Sequence, residues 1–242
     1  MIKLEICANS LPSALAAQEG GADRIELCDN MAEGGTTPSY GTLTKARELL
    51  NIELYPIIRP RGGDFLYTTL EYDIMYEDIQ FCKKIGCDGV VIGLLTELGD
   101  IDTKRTSALV EAAAPMRVTF HRAFDRCRNP IQALENIIDC GCERILTSGQ
   151  EPTAIEGASL LDLLIQKAED RIIIMPGSGV RPENIAELVK TTKAKEYHST
   201  AKITTRSRMS FQNKLAEQEN DSITVTDTTI VNSLRKIAEK AQ

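Results

Sequence analysis

The sequence predicts an α/β protein, a single (β/α)8 TIM barrel with parallel strands, and two observations lead to this fold class. Eight short apolar runs of strand length recur along the chain, with segments long enough for a helix between them. Such alternation is typical of parallel sheets. The length of 242 residues also matches one barrel domain of about 250 residues. Because these barrels place their chemistry at the carboxyl ends of the strands, we expect the functional site at that C-terminal mouth.

The predicted strands share an apolar core, and nearly every one ends in a charged residue, a cysteine or a glycine turn. In chain order they are Lys3–Cys7, Arg24–Cys28, Leu54–Arg59, Gly89–Gly93, Arg117–His121, Arg144–Ser148, Ile172–Pro176 and Lys195–Ser199. Strands that are buried on both faces normally read as continuous apolar runs. The polar residues at their ends are therefore the first candidates for function.

The segments between the strands carry helix start signals. Ser10 precedes Pro12 and an apolar pattern, and Asn129 directly precedes Pro130 in the same way. Serine and asparagine are good helix caps, and proline is tolerated in the first helical turn. We therefore expect helices to begin at both places.

The regular spacing of the strands indicates one domain over residues 1–242. The stretch 200–227 is polar and lacks periodicity, so we expect a long loop there. Apolar residues at helical spacing return after it, and residues 228–242 are expected to form a C-terminal helix.

Charge and composition exclude several classes of partner. The formal net charge is −7 and the chain shows no cluster of lysine and arginine, so nucleic acid is not an expected partner. No apolar run approaches the roughly 20 residues that a membrane span needs, and the N-terminus runs into the first strand without a signal peptide. Seven cysteines, with no Cys-x-x-Cys spacing, fit a reducing compartment. We expect a soluble, cytoplasmic protein.

Two glutamates lie inside the first two predicted strands. Alternate residues of a strand share a face, so Glu5 lies with Cys7, and Glu26 lies with Cys28. Buried carboxylates are costly unless they are paired, and Arg59 at the end of the third strand is the expected counter-charge. Such a set serves either function or a structural ion-pair network that fills the barrel.

Both histidines of the chain, His121 and His198, lie at predicted strand ends. His121 is followed by Arg122 and Asp125, which places an imidazole, a guanidinium and a carboxylate in one loop. An imidazole near a carboxylate suits general acid–base catalysis or metal binding. A structural role for either histidine is the alternative.

Glycine and hydroxyl residues follow strands six to eight, where barrels often bind phosphate with a helix N-terminus. The candidate substrate- or anion-binding residues there are Ser148, Gly177, Gly179, His198 and Ser199. Arg59, Arg61, Asp64 and Arg122 complete this set from the loops after strands three and five. Glycine turns are common after strands, so the position of these residues in the fold is the stronger argument.

The two strand-end cysteines suggest a different chemistry. Cys7 and Cys28 are expected at the same end of adjacent strands, which lie about 4.8 Å apart. Two thiolates at that range suit a soft metal ion such as Cu(I). The alternative is that both are small buried hydrophobic residues.

Six sequence blocks together resemble the CutC family, which is named for copper homeostasis. These blocks are residues 20–28, 33–39, 58–65, 119–125, 144–149 and 175–179, and the resemblance covers about residues 1 to 200. The chain departs from the expected pattern at Gln150 and Ser178, where we would expect glycine.

The resemblance implies a cytoplasmic, homo-oligomeric barrel that handles cellular copper, with Cu(I) on the cysteines equivalent to Cys7 and Cys28. A thiolate pair does not require the other polar residues of the predicted mouth. An enzyme of unknown reaction therefore stays open as the second hypothesis. It would act on a small anionic or phosphorylated substrate, and its catalytic candidates are Glu5, Glu26, His121 and Asp125.

Overall fold

The computed structural model describes residues 2–211, 214 and 221–241, and it confirms the predicted (β/α)8 barrel. The barrel strands are β1 (Lys3–Ala8), β2 (Arg24–Leu27), β3 (Glu53–Pro56), β4 (Gly89–Ile92), β5 (Arg117–Phe120), β6 (Arg144–Thr147), β7 (Ile173–Pro176) and β8 (Glu196–Ser199). All eight predicted strands are confirmed.

Eight described helices surround and close the sheet. They are α1 (Leu11–Glu19), α2 (Tyr40–Leu49), α3 (Thr69–Ile85), α4 (Thr103–Ala113), α5 (Pro130–Asp139), α6 (Ala158–Ala168), α7 (Ile185–Thr192) and α8 (Thr228–Ala241). Short 3-10 helices follow β2 at Met31–Glu33 and β5 at Arg122–Arg126. The side chains of Ser10 and Asn129 cap α1 and α5 as expected. None of the helices in the described part of the chain is both long and apolar enough to cross a bilayer.

The strands form two parallel four-stranded sheets in the orders β3-β2-β1-β8 and β4-β5-β6-β7. A parallel bridge between Ile57 and Val91 joins β3 to β4, and β7 packs beside β8 to complete the barrel. The regular part of the third strand ends at Pro56 rather than at the predicted Arg59. Ile57 and Ile58 still bond the neighbouring strands, and the chain leaves the sheet at Arg59. The Arg59 N–H donates to the Thr37 hydroxyl at 3.0 Å.

The side chains of β1 and β2 alternate as the sequence predicts. Leu4 and Ile6 belong to the main apolar core between sheet and helices. Cys7 and Cys28 belong to a separate small cluster with Tyr55 inside the barrel. Glu5 lies on the same face of β1 as Cys7 and so points into the barrel interior. A charge buried there is costly unless it is paired.

The segment 200–227, which was predicted to be a loop, contains two strands in the structure. Strands β9 (Lys202–Thr205) and β10 (Ile223–Thr226) pair antiparallel within it. The Asn9 amide and the Ser13 hydroxyl bond the backbone of Thr224 and Thr226, which holds β10 against the start of α1. Long-range hydrogen bonds of this kind are not visible in local sequence pattern. Residues 212, 213 and 215–220 of this prediction lie outside the described residues.

We expect Gly89→Ala in β4 to lower the free energy of unfolding by about 1–3 kcal/mol, since overpacking a tight core forces local shifts. An added Cβ would lie 2.4 Å from the buried Tyr55 ring and 2.7 Å from the Arg117 carbonyl oxygen. Gly41→Ala in α2 is the control, because its Cβ would meet nothing within 4 Å. That change should be neutral or stabilise by up to about 1 kcal/mol. Urea unfolding measures both, and equal stability of the two variants would contradict the packing described here.

Candidate metal centre

A cavity of about 720 Å³ opens at the carboxyl ends of the strands. Its wall brings together residues from β1, β2, β6 and β8 and from the loops that follow several of the strands. The polar and sulfur-bearing side chains on it are those of Cys7, Glu26, Cys28, Met31, Arg59, His121, Arg122, Ser178, Arg181, Glu183, His198, Ser199, Thr200 and Lys202. The predicted mouth is therefore a real concave site.

Three sulfur atoms meet in the wall of this cavity. The Sγ atoms of Cys7 and Cys28 are 3.4 Å apart. The Met31 Sδ atom lies 3.1 Å from the Cys28 Sγ and 3.7 Å from the Cys7 Sγ. Both cysteines are buried and, like the other five of the chain, carry free thiols. The two thiols come together as predicted, and a thioether joins them.

Met31 was missed by the sequence reasoning, which considered only strand residues. Asn30 adopts a left-handed conformation with φ 49° and turns the chain directly after β2. The 3-10 helix that begins at Met31 then folds back over the thiols. The available signal was a thioether three residues after Cys28, which marks Met31 as a second soft ligand type but does not show that the chain turns back over the thiols.

Glu26 and His198 lie beside Cys7. One donor atom from each of the three buried residues falls within 4.8 Å of the other two. The His198 Nε2 is 3.7 Å from the Glu26 Oε2, and the His198 Nδ1 is 2.7 Å from the Glu5 Oε1. Strand register produces this grouping, because Cys7 is opposite Glu26 and Glu5 is opposite His198.

Burial and mutual hydrogen bonds shift the pKa values of these groups. The pKa of the Cys7 thiol is raised by its hydrogen bond with Cys28 and by burial. Burial raises the pKa of Glu26, and the nearby His198 opposes part of that shift. Burial disfavours the charge on His198, but the carboxylates of Glu5 and Glu26 outweigh it and raise the pKa of the imidazole. The Cys7 thiol therefore keeps its proton at neutral pH.

A buried charge layer lies beneath the cavity and consists of Glu5, Arg24, Arg144 and Glu196. Arg24 bonds Glu5 and, at 2.5 Å, Glu196. The Arg144 Nε donates to Glu196 at 2.7 Å. Both guanidinium groups lie over the ring of Tyr55, at 5.0 and 5.6 Å from its centroid. Every charge of the layer is thereby paired, as burial requires.

The buried charge layer corrects two expectations from the sequence. Arg24, rather than Arg59, is the counter-charge of Glu5. Glu5 itself does not line the cavity, so it is not placed to contact a ligand there. The alternative of a structural ion-pair network describes this residue correctly. Arg24 shares the parity of Glu26 in one strand, so the sequence places it inside the barrel without showing which carboxylate it pairs with.

Arg59 lines the cavity, but its guanidinium is bound to the backbone. It donates to the carbonyl oxygens of Glu33 at 2.6 Å, Gly35 at 2.7 Å and Gly63 at 3.0 Å. Glu33 ends the short helix that begins with Met31. Arg59 therefore holds in place the loop that carries the third sulfur atom.

The other predicted residues of the third loop lie elsewhere. Arg61 and Asp64 do not line the cavity. They pair with each other at 2.9 Å, and Arg61 also bonds Glu71 at 2.6 Å. The Asp64 side chain is exposed and that of Arg61 is partly exposed, and charge pairs in such positions contribute little to stability. Their assignment to anion binding at the mouth is therefore not supported by the geometry.

The predicted pairing of His121 with Asp125 does not occur. The His121 Nδ1 accepts from the Ala123 N–H at 3.1 Å. The Asp125 carboxylate accepts instead from the Thr147 hydroxyl at 2.5 Å and the Arg122 Nε at 2.6 Å. Asp125 thus stabilises the loop after β6 rather than acting as a partner for the imidazole.

Two further candidates of this region have structural partners. Ser148 is buried off the cavity, and its N–H and hydroxyl both bond Asp125. Arg122 lines the cavity while its guanidinium donates to Asp125 and, at 3.0 Å, to the Ser148 hydroxyl. His121 also lines the cavity, and its Nε2 meets no hydrogen-bond partner in the described part of the chain.

The turns after β7 and β8 are only partly directed at the cavity. Gly179 and Ser199 line it, whereas Gly177 does not. The Ser199 hydroxyl donates to the Val180 carbonyl at 2.7 Å. Gly177 is instead needed for packing, because an added Cβ would lie 2.4 Å from the Leu146 side chain and 3.3 Å from the His198 Cβ.

The two departures from the expected glycine pattern share one backbone feature. Gln150 has φ 61° and Ser178 has φ 79°, both in the left-handed region that glycine adopts most easily. A glycine preference at these positions therefore has a conformational cause. Hydrogen bonds from the Gln150 amide to the Cys127 carbonyl and from the Ser178 hydroxyl to the Pro152 carbonyl accompany the two turns.

Fold and site together define a (β/α)8-barrel protein whose mouth holds a buried group of sulfur, imidazole and carboxylate donors. The model of the CutC family matches residues 2–203, and the chain belongs to that family. A CutC family protein from Chromobacterium violaceum is 57% identical over 209 residues, which cover 86% of this chain and 85% of the relative. The human copper homeostasis protein cutC homolog is 43% identical and covers 98% of this chain and 89% of its own length.

Solved structures agree with this membership. The crystal structure of the putative copper homeostasis protein CutC from Streptococcus agalactiae has a TM-score of 0.79 and 37% identity. The alignment covers 83% of this chain and 99% of that one. Phosphoribosylanthranilate isomerase from Thermotoga maritima has a TM-score of 0.60 at 13% identity, which shows a shared fold alone.

We expect Arg24→Gln to lower the free energy of unfolding by about 3–5 kcal/mol, because the buried carboxylate of Glu5 loses its guanidinium partner and Glu196 keeps only Arg144. Arg128→Gln is the matched control, since Arg128 makes an exposed pair with Asp100. That change should alter stability by less than about 1 kcal/mol. Chemical denaturation measures both, and a small effect at Arg24 would refute the structural importance of the layer.

We expect the His121→Asn variant to lose less free energy of unfolding than the wild type when the pH is lowered. Burial lowers the pKa of His121 to about 3, whereas an unfolded histidine titrates near 6.5. Between these pH values the unfolded chain binds a proton that the folded chain does not. The stability contributed by the neutral imidazole is therefore fully present above pH 6.5 and is lost as the pH falls. From pH 7 to pH 5 the wild type should lose about 2 kcal/mol more than the variant. Urea unfolding at both pH values is the measurement, and parallel losses would contradict a neutral buried imidazole.

Proposed function

We propose that the protein binds one Cu(I) ion as cargo in copper homeostasis, through the sulfur atoms of Cys7, Cys28 and Met31. The observation that supports this most directly is the meeting of two thiols and a thioether within 3.7 Å in the cavity wall. Thiolate and thioether are the ligands that select Cu(I) over harder ions. The names of the human and streptococcal relatives point to the same metal.

The spacing of the sulfur atoms suits a single ion. Bonds from zinc to thiolate are about 2.3 Å long, and three sulfur atoms placed around an ion at that radius lie about 4.0 Å apart. The observed separations of 3.1, 3.4 and 3.7 Å are each within about 1 Å of that value. Side-chain rotation would supply the difference. Metal binding must displace the thiol protons, because the thiolate is the ligand.

The site is also reachable and shielded. Cys28 is 1% exposed and Cys7 is 7% exposed, yet both line the cavity. Tyr55, Ile57 and Val91 pack around the thiols and exclude water from their other side. A soft ion bound here would contact solvent only through the cavity, where a ligand or partner could exchange it.

The enzyme hypothesis is less well supported by the geometry. Glu5 and Asp125 are bonded away from the cavity, and Arg59 is held by the backbone. Glu26 and His121 are the catalytic candidates that stay on the cavity wall. A small anionic ligand stays a prediction, for which Arg181 and Lys202 at the same wall offer positive charge.

A cytoplasmic location is part of this proposal. Seven free thiols suit a compartment that keeps them reduced. Homo-oligomerisation, implied by the family resemblance, stays a prediction.

Combined replacement of Cys7 and Cys28 by serine should abolish Cu(I) binding, because both thiolates are lost. Cys140→Ser with Cys142→Ser is the matched control, since these thiols lie outside the cavity. Competition with a colorimetric Cu(I) chelator under reducing conditions measures the affinities. If the Cys7 and Cys28 double variant stays within about threefold of wild type, roughly 0.65 kcal/mol, the proposal is wrong.

Met31→Leu should lower Cu(I) affinity by about tenfold or more, about 1.4 kcal/mol, because the apolar volume is kept while the thioether is lost. Met209→Leu is the control, because Met209 is exposed at 67% and away from the cavity. X-ray absorption at the copper edge gives the number of sulfur ligands, which should fall from three to two. An unchanged spectrum and affinity would remove Met31 from the site.

A further inference from the structure

Beyond copper, we infer that Cys7, Glu26 and His198 form a second metal site, for a borderline divalent cation such as Zn²⁺, that overlaps the sulfur site at Cys7. The three residues offer a thiol sulfur, a carboxylate oxygen and an imidazole nitrogen, all within 4.8 Å of one another. Zn²⁺ takes these three donor types in proteins. The inference stands independently of the proposed copper function.

The orientation of His198 is a second observation that points to a ligand. Its Nδ1 bonds the Glu5 Oε1 at 2.7 Å, which directs Nε2 towards Glu26 at 3.7 Å. Metal-binding histidines almost always give their second ring nitrogen to a carboxylate or carbonyl in this way, which fixes the tautomer and the ring. Glu5 is itself held by Arg24. The imidazole is therefore positioned by the buried charge layer before any cation arrives.

Glu26, unlike Glu5, has no arginine of the buried charge layer bonded to it. It is 5% exposed and lines the cavity, while the arginines of the buried charge layer bond Glu5 and Glu196 instead. A buried carboxylate is costly unless a cation or a hydrogen-bond donor compensates it. The Cys7 thiol hydrogen-bonds Glu26, and His198 supplies a donor at 3.7 Å, which is too long for a strong hydrogen bond. Both of these groups are themselves donors to the proposed ion. A cation between Glu26 and His198 would compensate the carboxylate directly.

The distances are close to those that a tetrahedral ion needs. With bonds of about 2.0 to 2.3 Å, neighbouring ligands lie about 3.3 to 3.6 Å apart. The nitrogen and oxygen donors are already at 3.7 Å. The sulfur lies within 4.8 Å of both, a separation that rotation of the Cys7 side chain would shorten. All three residues line the cavity. The fourth coordination position therefore opens onto it, as in sites where zinc binds water or a substrate.

The two metal sites differ in every residue except Cys7. Cys28 and Met31 belong to the sulfur site, whereas Glu26 and His198 belong to the mixed site. Because Cys7 serves both, one ion should weaken binding of the other. The barrel mouth would therefore bind either a soft monovalent ion or a borderline divalent ion, but not both tightly at once.

The test measures Zn²⁺ affinity of the full chain by competition with a chromogenic chelator. Glu26→Gln and His198→Gln should each lower it by more than about 100-fold, because second-layer changes alone cost about 10- to 100-fold. Cu(I) affinity should stay within about threefold in both. Glu183→Gln is the matched control, since Glu183 lines the cavity outside the donor group. Cys28→Ser should reverse the pattern, with Cu(I) binding weakened and Zn²⁺ binding kept.

Co²⁺ in place of Zn²⁺ gives a spectroscopic readout. A sulfur-to-cobalt charge-transfer band should appear in the wild type and in Cys28→Ser and be absent in Cys7→Ser. Glu5→Gln should lower Zn²⁺ affinity by about 10- to 100-fold through the orientation of His198. If that variant fails to fold, as circular dichroism would show, the Glu26→Gln result decides alone.

Three outcomes would overturn the inference. The first is a wild-type protein that does not compete with the chelator for Zn²⁺. The second is Zn²⁺ affinity that Glu26→Gln and His198→Gln leave unchanged. The third is a loss of Zn²⁺ binding in Cys28→Ser as large as that in Cys7→Ser, which would place zinc on the sulfur atoms. A failure of copper binding appears separately, in the Cu(I) titration of the wild type.

Discussion

The pairing of Arg24 with Glu5 and Glu196 underlies the arrangement of the whole barrel mouth. Charges in a low-dielectric interior are tolerated only when they are paired with good geometry. The buried charge layer therefore has little freedom to rearrange, and Glu5 holds the imidazole of His198 in one orientation. The layer is poor evidence for stability in itself, because apolar residues could fill the same space. The layer matters because it fixes the orientation of His198, which lines the cavity above it.

The cavity above the layer combines donors of different chemical character around one thiol. Cys7 faces the sulfur atoms of Cys28 and Met31 on one side and the donors of Glu26 and His198 on the other. Soft ions prefer the first set and borderline ions accept the second. The parallel register of β1, β2 and β8 accounts for this proximity, because it places neighbouring inward-facing residues opposite one another.

The loops at the mouth are held by side chains that look like ligand-binding groups in the sequence. Arg59 binds three carbonyl oxygens and so fixes the turn that carries Met31. Asp125 gathers hydrogen bonds from the loop after β6. Charged residues after barrel strands can therefore serve the backbone, which has many unpaired polar groups where strands end. Arg59 and Asp125 thus position the loops that form the cavity wall rather than contacting a ligand themselves.

The sequence by itself determined the barrel, because strand and helix periodicity is a local property that eight repeats make unmistakable. It also determined that Glu5, Cys7, Glu26 and Cys28 face inward, since side chains alternate along a strand. It could not determine the partner of Glu5 or the hairpin of β9 and β10, because both depend on contacts between residues far apart in the chain. The placement of Met31 over the thiols was likewise decided by tertiary structure alone. A left-handed turn at Asn30 and the clamp of Arg59 bring the thioether there, and neither leaves a periodic trace in the sequence.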